Sequence, residues 1–354
     1  MAQDIRVGLI GYGLGGEFFH APLIAVTPGL QLVSVVTSNP ERRERALRDY
    51  PGVRVEPNTD ALFARAADHD LIVVTTDNRS HVPLALTALG AGLGVVVDKP
   101  FAPGPVEGRN VIAEAKRRGL FLSVYQNRRW DSDTLTVKRL LAEGVFGEVL
   151  RFESRFERWR PAVKATWRER ADFDDAGGLL YDLGSHAIDQ ALHLFGPVRD
   201  VYAELDRRRP GSQVDDDDFL ALTHICGVRS HLRASVMSAI AAPRMRVLGT
   251  RAAYVRQHED HQEALLRAGK RPDAPGWGVE PEETWGVLGH GEQVERVPTV
   301  PGAYHHYYQG VVASMRDGAP PPVAPEDAVA GLEIIAAAQV SAAERGVVTL
   351  KHGA

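Results

Sequence analysis

A short apolar run, Arg6 to Ile10, passes directly into Gly11-Tyr12-Gly13-Leu14-Gly15-Gly16, and this arrangement constrains the chain more than any other. In the pattern Gly-x-Gly-x-x-Gly, Gly11 permits a tight turn after the strand. Gly13 lets the backbone approach a pyrophosphate, with Leu14 carried in the same turn, and Gly16 allows strand and helix to pack closely. The N–H groups that open the next helix then face the anion. The expected fold is a parallel sheet with a dinucleotide at the carboxyl ends of its strands.

The rest of the first third agrees. Leu30 to Val36, Leu71 to Thr75, Gly94 to Val97 and Phe121 to Tyr125 are nearly continuous in Val, Leu and Ile, as parallel strands covered on both faces require. Between them Pro40 to Tyr50, His81 to Gly90 and Pro105 to Arg118 read as helices, with Pro near the first turn and Gly closing the second and third. After Asn127 the pattern changes: a helix over Thr134 to Glu143, a strand from Glu148 to Trp159, and a long helix from Gly178 to Phe195. Runs at Val201 to Leu205, Phe219 to His224, Arg229 to Val236 and Met245 to Leu248, separated by turn residues, predict an antiparallel sheet. Ala268 to Gly289, rich in Pro and Gly, reads as a long loop, and helices over Tyr304 to Arg316 and Pro325 to Arg345 close the chain. The fold class is therefore α/β: a doubly wound Rossmann domain over 1–126, then an α+β domain over 127–354 with a large, mainly antiparallel open sheet, its last helix free to pack back on the first domain.

At 354 residues the chain is long enough for two cores. Its net charge of −5, with both signs interspersed, gives no basic face for nucleic acid. Cys226 is the sole cysteine, so no intrachain disulfide can form. No apolar stretch approaches the roughly 20 residues that span a bilayer, and the first residues lack a leader pattern. A cytoplasmic protein without membrane or nucleic-acid partners is expected.

Candidate site residues follow from the strand ends. The second strand runs into Thr37-Ser38-Asn39-Pro40-Glu41-Arg42-Arg43, without an acid where one would repel a 2′-phosphate. Thr37 and Ser38 can donate hydrogen bonds and Arg42 can supply charge, which favours NADP over NAD, with Glu41 keeping NAD open. Thr75, Thr76 and Asn78 end the next strand on the cofactor's far side, with His81 in the helix beyond; Asn78 also suits a helix cap. Lys99, in Asp98-Lys99-Pro100, stands at the mouth of the following strand. Asp182 and His186, four residues apart on the long helix, share one face. A lysine and a histidine together supply what oxidation of an alcohol needs, a base for the hydroxyl proton and a positive group near the developing alkoxide. A metal held by Asp182, His186, Asp189 and His193 is the rival reading, but nicotinamide chemistry needs none, and no metal is expected.

Together these residues resemble the Gfo/Idh/MocA oxidoreductases, over essentially the whole chain. The resemblance implies that Lys99, Asp182 and His186 form a catalytic trio, Asp98 replacing the family's usual Glu. The stretches GYGLGGEFFHAPL, SVYQNRRWDSDTLT, WRPAVKATWRER, YDLGSHAIDQALHLFG and ALLRAGKRPDAPGWG are similar to those of NADP-dependent scyllo-inositol dehydrogenases, although Asn39 stands where such enzymes tend to carry arginine. It further implies a polyol or sugar pocket lined by Tyr125, Asn127, Arg128, Trp159, Trp167 and Asp182, and a homodimer or homotetramer built on the second sheet. Without a substrate, Arg128 and Arg129 read as inter-domain ion pairs and the tryptophans as core aromatics. Within the same resemblance, an aldose 1-dehydrogenase or a related sugar reductase is the alternative activity, and a non-catalytic cofactor-binding regulator of sugar pathways is the alternative of another class. The run Asp215 to Asp218 reads as a solvated turn, and His305-His306 as helix packing.

Overall fold

The computed structural model describes residues 3–164 and 166–351. They form two compact units. One holds the chain up to Asn127 with Gln262–Trp277 and Ala303–Val329; the other holds Arg128–His261, Gly278–Gly302 and the chain from Ala330 on. Where the sequence suggests one continuous division after residue 126, the later chain thus contributes two segments to the first unit. The reason is visible in the helix His305–Asp317, whose Tyr307, Tyr308 and Val311 are fully buried and which packs on the helix Ala21–Val26.

The first unit is built on β1 (Ile5–Ile10), β2 (Leu30–Val36), β3 (Arg54–Glu56), β4 (Leu71–Val74), β5 (Gly94–Asp98) and β6 (Leu122–Tyr125). All pairs are parallel and the order is β3-β2-β1-β4-β5-β6. Val7, Leu9, Val73 and Val96 have no exposed surface, as strands covered on both faces require. Only β3 has no sequence signal, its three residues Arg54, Val55 and Glu56 forming no apolar run. The strand order reverses between β1 and β4, the place where open α/β sheets take their ligands. The helix after β4 spans Asn78–Gly90, with Asp77 in the cap position. Asn78, read from sequence as a cap, is instead the first helical residue, and the extended Asp77 before it takes the cap position.

The second unit carries β7 (Val149–Glu157), β8 (Val198–Asp206), β9 (Asp217–His224), β10 (Arg229–Ser235), β11 (Met245–Gly249), β12 (Ala253–Arg256), β13 (Val287–His290), β14 (Gln293–Arg296) and β15 (Val348–Thr349). Their order is β14-β13-β12-β11-β7-β10-β9-β8-β15, antiparallel except for β7 against β10. The helix Ser185–Phe195 packs on β7 and β10, and its Gln190 accepts from the Ser154 hydroxyl of β7 at 3.2 Å and donates to the Thr134 hydroxyl of the helix Ser132–Ala142 at 2.8 Å. The stretch read as loop, 268–289, ends in β13. The apolar pair Val287-Leu288 is too short to reveal a strand among prolines and glycines, and Gly291, at φ +57°, turns it into β14.

The acidic run departs furthest from expectation. Asp216 and Asp218 are 0% and 1% exposed, not solvated. Alternation along the start of β9 turns them inward, and local cations and amides compensate. Asp216 accepts from the Arg208 and Arg209 backbone N–H groups and from Arg209 Nε, while Asp215 accepts the Leu180 N–H at 2.6 Å. Asp218 has no such cation. Burial, reinforced by the neighbouring Asp215 charge, pushes its carboxyl well above the ordinary 3.8. An acid raised by folding adds its stability below its unfolded pKa and loses it as pH rises through the folded one. Asp218→Asn is therefore expected to melt above the parent protein at pH 7, by about 2–4 °C per kcal/mol recovered, with the gap closing toward pH 4. Melting curves at both pH values check this, and a gap independent of pH would refute it.

Candidate active site

The glycine-rich turn ends β1 in the form its sequence demands. Gly11 has φ +99°, and a Cβ there would lie 2.4 Å from the Thr75 carbonyl oxygen. A Cβ on Gly16 would lie 2.0 Å from the Gly11 carbonyl oxygen, so this residue is where helix and strand touch. Gly13 differs. Its missing Cβ would meet nothing but the Arg42 guanidinium, at 3.7 Å. That open space beside a helix start fits a pyrophosphate, and the residues present therefore suit a dinucleotide. The helix opens with a π-helical stretch, Gly15–His20, preceded by the half-exposed Leu14.

Past β2, Asn39 caps the helix Pro40–Asp49 by accepting the Arg42 N–H at 3.0 Å, so it is occupied with the backbone. The two arginines then part. Arg42 reaches the glycine turn, whereas Arg43 donates to the Val55 carbonyl at 3.1 Å. Thr37 and Ser38 lie at the same strand end, Ser38 exposed.

The mouths of β4 and β5 meet at the turn. Thr75 Oγ1 donates to Asp98 Oδ2 at 3.0 Å, and the Lys99 N–H donates to Asp98 Oδ1 at 2.7 Å. A Cβ on Gly15 would stand 2.2 Å from Thr75 Oγ1 and 2.9 Å from Asp98 Oδ2, so this fourth glycine, unused by the fingerprint, lets the pair press on the turn. Burial raises the Asp98 carboxyl, but the approach of His20 and the nearby Lys99 ammonium outweigh this and hold it at about 2. His81 is fully buried, its Nδ1 2.8 Å from the Pro100 carbonyl, and burial lowers its pKa, which keeps it neutral. Lys99-Pro100 is a cis peptide. Thr76 and Asn78 follow β4 on the same side. Tyr125 is 2% exposed and gives its hydroxyl hydrogen to the Phe19 carbonyl, so it belongs to a buried aromatic cluster with His20, Tyr307 and Tyr308. Asn127, also buried, begins a short helical turn.

In the second unit the helix bearing Asp182 and His186 also opens with a π-helical stretch, Leu180–Gly184. π turns concentrate at functional sites. His186 is buried, its ring 6.3 Å from that of Phe156. Asp182 is half-buried and pairs with Arg168 at 3.5 Å, a partner with no sequence signal, whose guanidinium also covers the Trp167 ring at 4.2 Å. Arg128 pairs with Asp131 at 3.0 Å and Arg129 with Asp189 at 2.6 Å within this unit. Asp189 is thereby committed, and His193 Nε2 lies 3.4 Å from the Lys138 ammonium. Trp159 is 55% exposed and bridges to Met237, which removes it from any core. A cavity of about 230 Å³ lies beside this segment, lined by Arg170, Asp172, Phe173, Tyr181, Arg207 and Asp215 among others; Asp182 and His186 are not in its wall.

Comparison with known proteins fits this geometry. A family profile described as "Oxidoreductase family, NAD-binding Rossmann fold" matches residues 5–126, and one described as "Oxidoreductase family, C-terminal alpha/beta domain" matches 138–350. The chain belongs to the Gfo/Idh/MocA oxidoreductases. Relatives in this family include the uncharacterised oxidoreductase YdgJ of Escherichia coli K12, 42% identical over 100% of this chain and 99% of that protein. Another is scyllo-inositol 2-dehydrogenase (NADP(+)) IolW of Bacillus subtilis, 36% identical over 99% of this chain and 97% of its own. The solved structure of YvaA from Bacillus subtilis superposes with a TM-score of 0.92 at 34% identity, covering 99% of both chains. The protein is thus an oxidoreductase with an NAD(P)-binding fold, and among the described residues no helix is long and apolar enough to cross a membrane.

The glycines separate binding from folding. Gly13→Val is expected to keep the parent melting temperature while weakening binding of the reduced nicotinamide dinucleotide at least about tenfold, because its Cβ meets nothing but the Arg42 guanidinium, at 3.7 Å. Gly16→Val should unfold the turn and lower the melting temperature, since its Cβ meets backbone. Fluorescence titration and thermal melts compare the two; equal destabilisation by both would refute the assignment.

Proposed function

We propose that this protein oxidises a secondary alcohol of a cyclic polyol or sugar, or reduces the corresponding ketone, with scyllo-inositol as the first substrate to test. The carrying observation is the joint of Thr75, Asp98 and Gly15, which seats the backbone of Lys99 against the dinucleotide turn. The near full-length likeness to a relative named scyllo-inositol 2-dehydrogenase supports the substrate class.

In this reading NADP, when bound, supplies the hydride donor or acceptor at nicotinamide. The chain's residues do the remainder. His186 takes the hydroxyl proton during oxidation and returns it during reduction. The Lys99 ammonium stabilises the negative charge that develops on the substrate oxygen. Asp182, balanced by Arg168, orients a substrate hydroxyl or the imidazole. Tyr125, Asn127, Arg128, Trp159 and Trp167 are the residues offered to the polyol, the exposed indole of Trp159 suiting the C–H face of a sugar ring. Gly11, Gly13, Leu14 and Gly16 cradle the pyrophosphate, Thr75, Thr76, Asn78 and His81 border the cofactor's far side, and Thr37, Ser38 and Arg42 receive a 2′-phosphate. The chain pairs as a dimer or tetramer through the second sheet, where Phe219, Ala221 and Thr223 form the half-exposed face of β9.

A regulator that only senses cofactor is the second reading. Retention of Lys99, Asp182 and His186 speaks for the enzyme, because a sensor has no use for a proton-transfer set.

Two measurements test the proposal. Absorbance of reduced nicotinamide, followed with NAD and NADP separately over inositols and aldoses, should show turnover of a cyclitol. Tight NADPH binding without turnover of any polyol would favour the regulator. Lys99→Ala and His186→Ala should each lower kcat by about 10²–10⁴-fold with cofactor affinity almost unchanged. Near-parental rates in both would end the mechanism. Arg42→Ala should raise KM for NADP by about 10- to 100-fold, the worth of a charge-assisted hydrogen bond, and leave KM for NAD within about threefold. An equal effect on both cofactors would show that Arg42 does not read the 2′-phosphate.

A further inference from the structure

His20 lies at the end of the π-helical stretch that follows the glycine turn and has no exposed surface. Its Nε2 stands 3.4 Å from Asp98 Oδ2, and its Nδ1 stands 2.6 Å from Tyr308 Oη. The Tyr125 ring packs on the imidazole with centroids 4.2 Å apart, itself tethered by its hydroxyl to the Phe19 carbonyl. The imidazole is therefore clamped, one nitrogen toward a phenol and the other toward a carboxylate.

The order of donors follows from chemistry. Burial holds the Tyr308 phenol well above its ordinary pKa, so it keeps its hydrogen. Asp98 is ionised and can only accept. A phenol hydrogen given to Nδ1 leaves the ring's own hydrogen on Nε2, the nitrogen that faces Asp98. The carboxylate accepts from Thr75 Oγ1 and from the Lys99 backbone, and the His20 ring closes on it at 3.4 Å, so that turning it breaks contacts on both oxygens. His81 holds the same loop from its other end, through the Pro100 carbonyl.

We propose that His20 is a positioning residue for Lys99: oriented by Tyr308, it locks Asp98 from the buried side and so fixes the backbone from which the lysine extends. This rests on the reading of Lys99 as a catalytic group. A displacement of about 1 Å at a reacting group costs on the order of 10²-fold in rate, so a lock of this kind acts on turnover more than on binding.

The first test needs no turnover. Long-range proton–nitrogen correlation spectra of ¹⁵N-histidine-labelled protein should show His20 with hydrogen on Nε2. A ring carrying hydrogen on Nδ1 alone would overturn the proposal, since a bare lone pair would then face Asp98. The second test is kinetic. His20→Leu should lower kcat by about 10- to 100-fold while the NADPH Kd stays within about threefold, and His20→Gln, whose amide can donate at similar reach, should recover most of the rate. Tyr308→Phe should lower kcat by about 3- to 10-fold at unchanged Kd, and it serves if the leucine variant does not fold. Parental kcat in a folded His20→Leu, or in Tyr308→Phe, refutes the proposal, as does equal loss in the leucine and glutamine variants. Lys99→Ala run alongside separates the cases: if it turns over normally the catalytic reading has failed, whereas an inactive Lys99→Ala beside a fully active His20→Leu condemns the lock alone.

Discussion

Close backbone approach at the first turn is the constraint on which the first unit depends. β1, β4 and the helix after the turn converge where Gly11, Gly15 and Gly16 stand, and at each a single methyl group would fall within 2.4 Å of a neighbouring oxygen. Three elements can meet there only because three side chains are missing. The same closeness brings the ends of β4 and β5 onto the turn, so that Thr75 and Asp98 become part of its wall. Cofactor binding and the placement of Lys99 are consequences of one packing decision.

The two units solve the cost of buried charge differently. In the first, Asp98 is half-buried but accepts from Thr75 and from the Lys99 backbone, and its carboxyl stays ionised. In the second, Asp216 is neutralised by Arg209 at 3.0 Å, while Asp218 in the same run faces another carboxylate and is driven toward its protonated form. Charge buried beside a cation is serviceable, and charge buried beside its like is a liability.

Sequence reading succeeded where a pattern is set by the local backbone. The Val-rich parallel strands, the three fingerprint glycines and the helices bounded by Pro and Gly are all dictated by period and φ, and they stand within three residues of where the chain announces them, the helix read from His81 starting at Asn78. It failed where partners come from elsewhere. Nothing near Asp182 announces Arg168, nothing near His20 announces Tyr308, 288 residues away, and the run Asp215–Asp218 reads as solvated because its compensating arginines precede it in a different conformation. Short β3 and β13 are supported by neighbours in their sheet and carry too few residues for any period to show. The candidate site residues were legible as residue types; their bracing was not.

The acid before Lys99 shows how such bracing restricts substitution. The family resemblance leads one to expect glutamate at this position, one methylene longer than Asp98. Here the carboxylate is enclosed: Gly15 lies against Oδ2, Thr75 donates to the same atom, and His20 approaches it at 3.4 Å. A longer acid on the same backbone would carry its oxygens into the turn or into the imidazole, and overpacking of this kind costs about 1–3 kcal/mol. A shorter acid and a buried histidine are thus two halves of one solution, the ring occupying the depth that the missing methylene leaves beside the carboxylate.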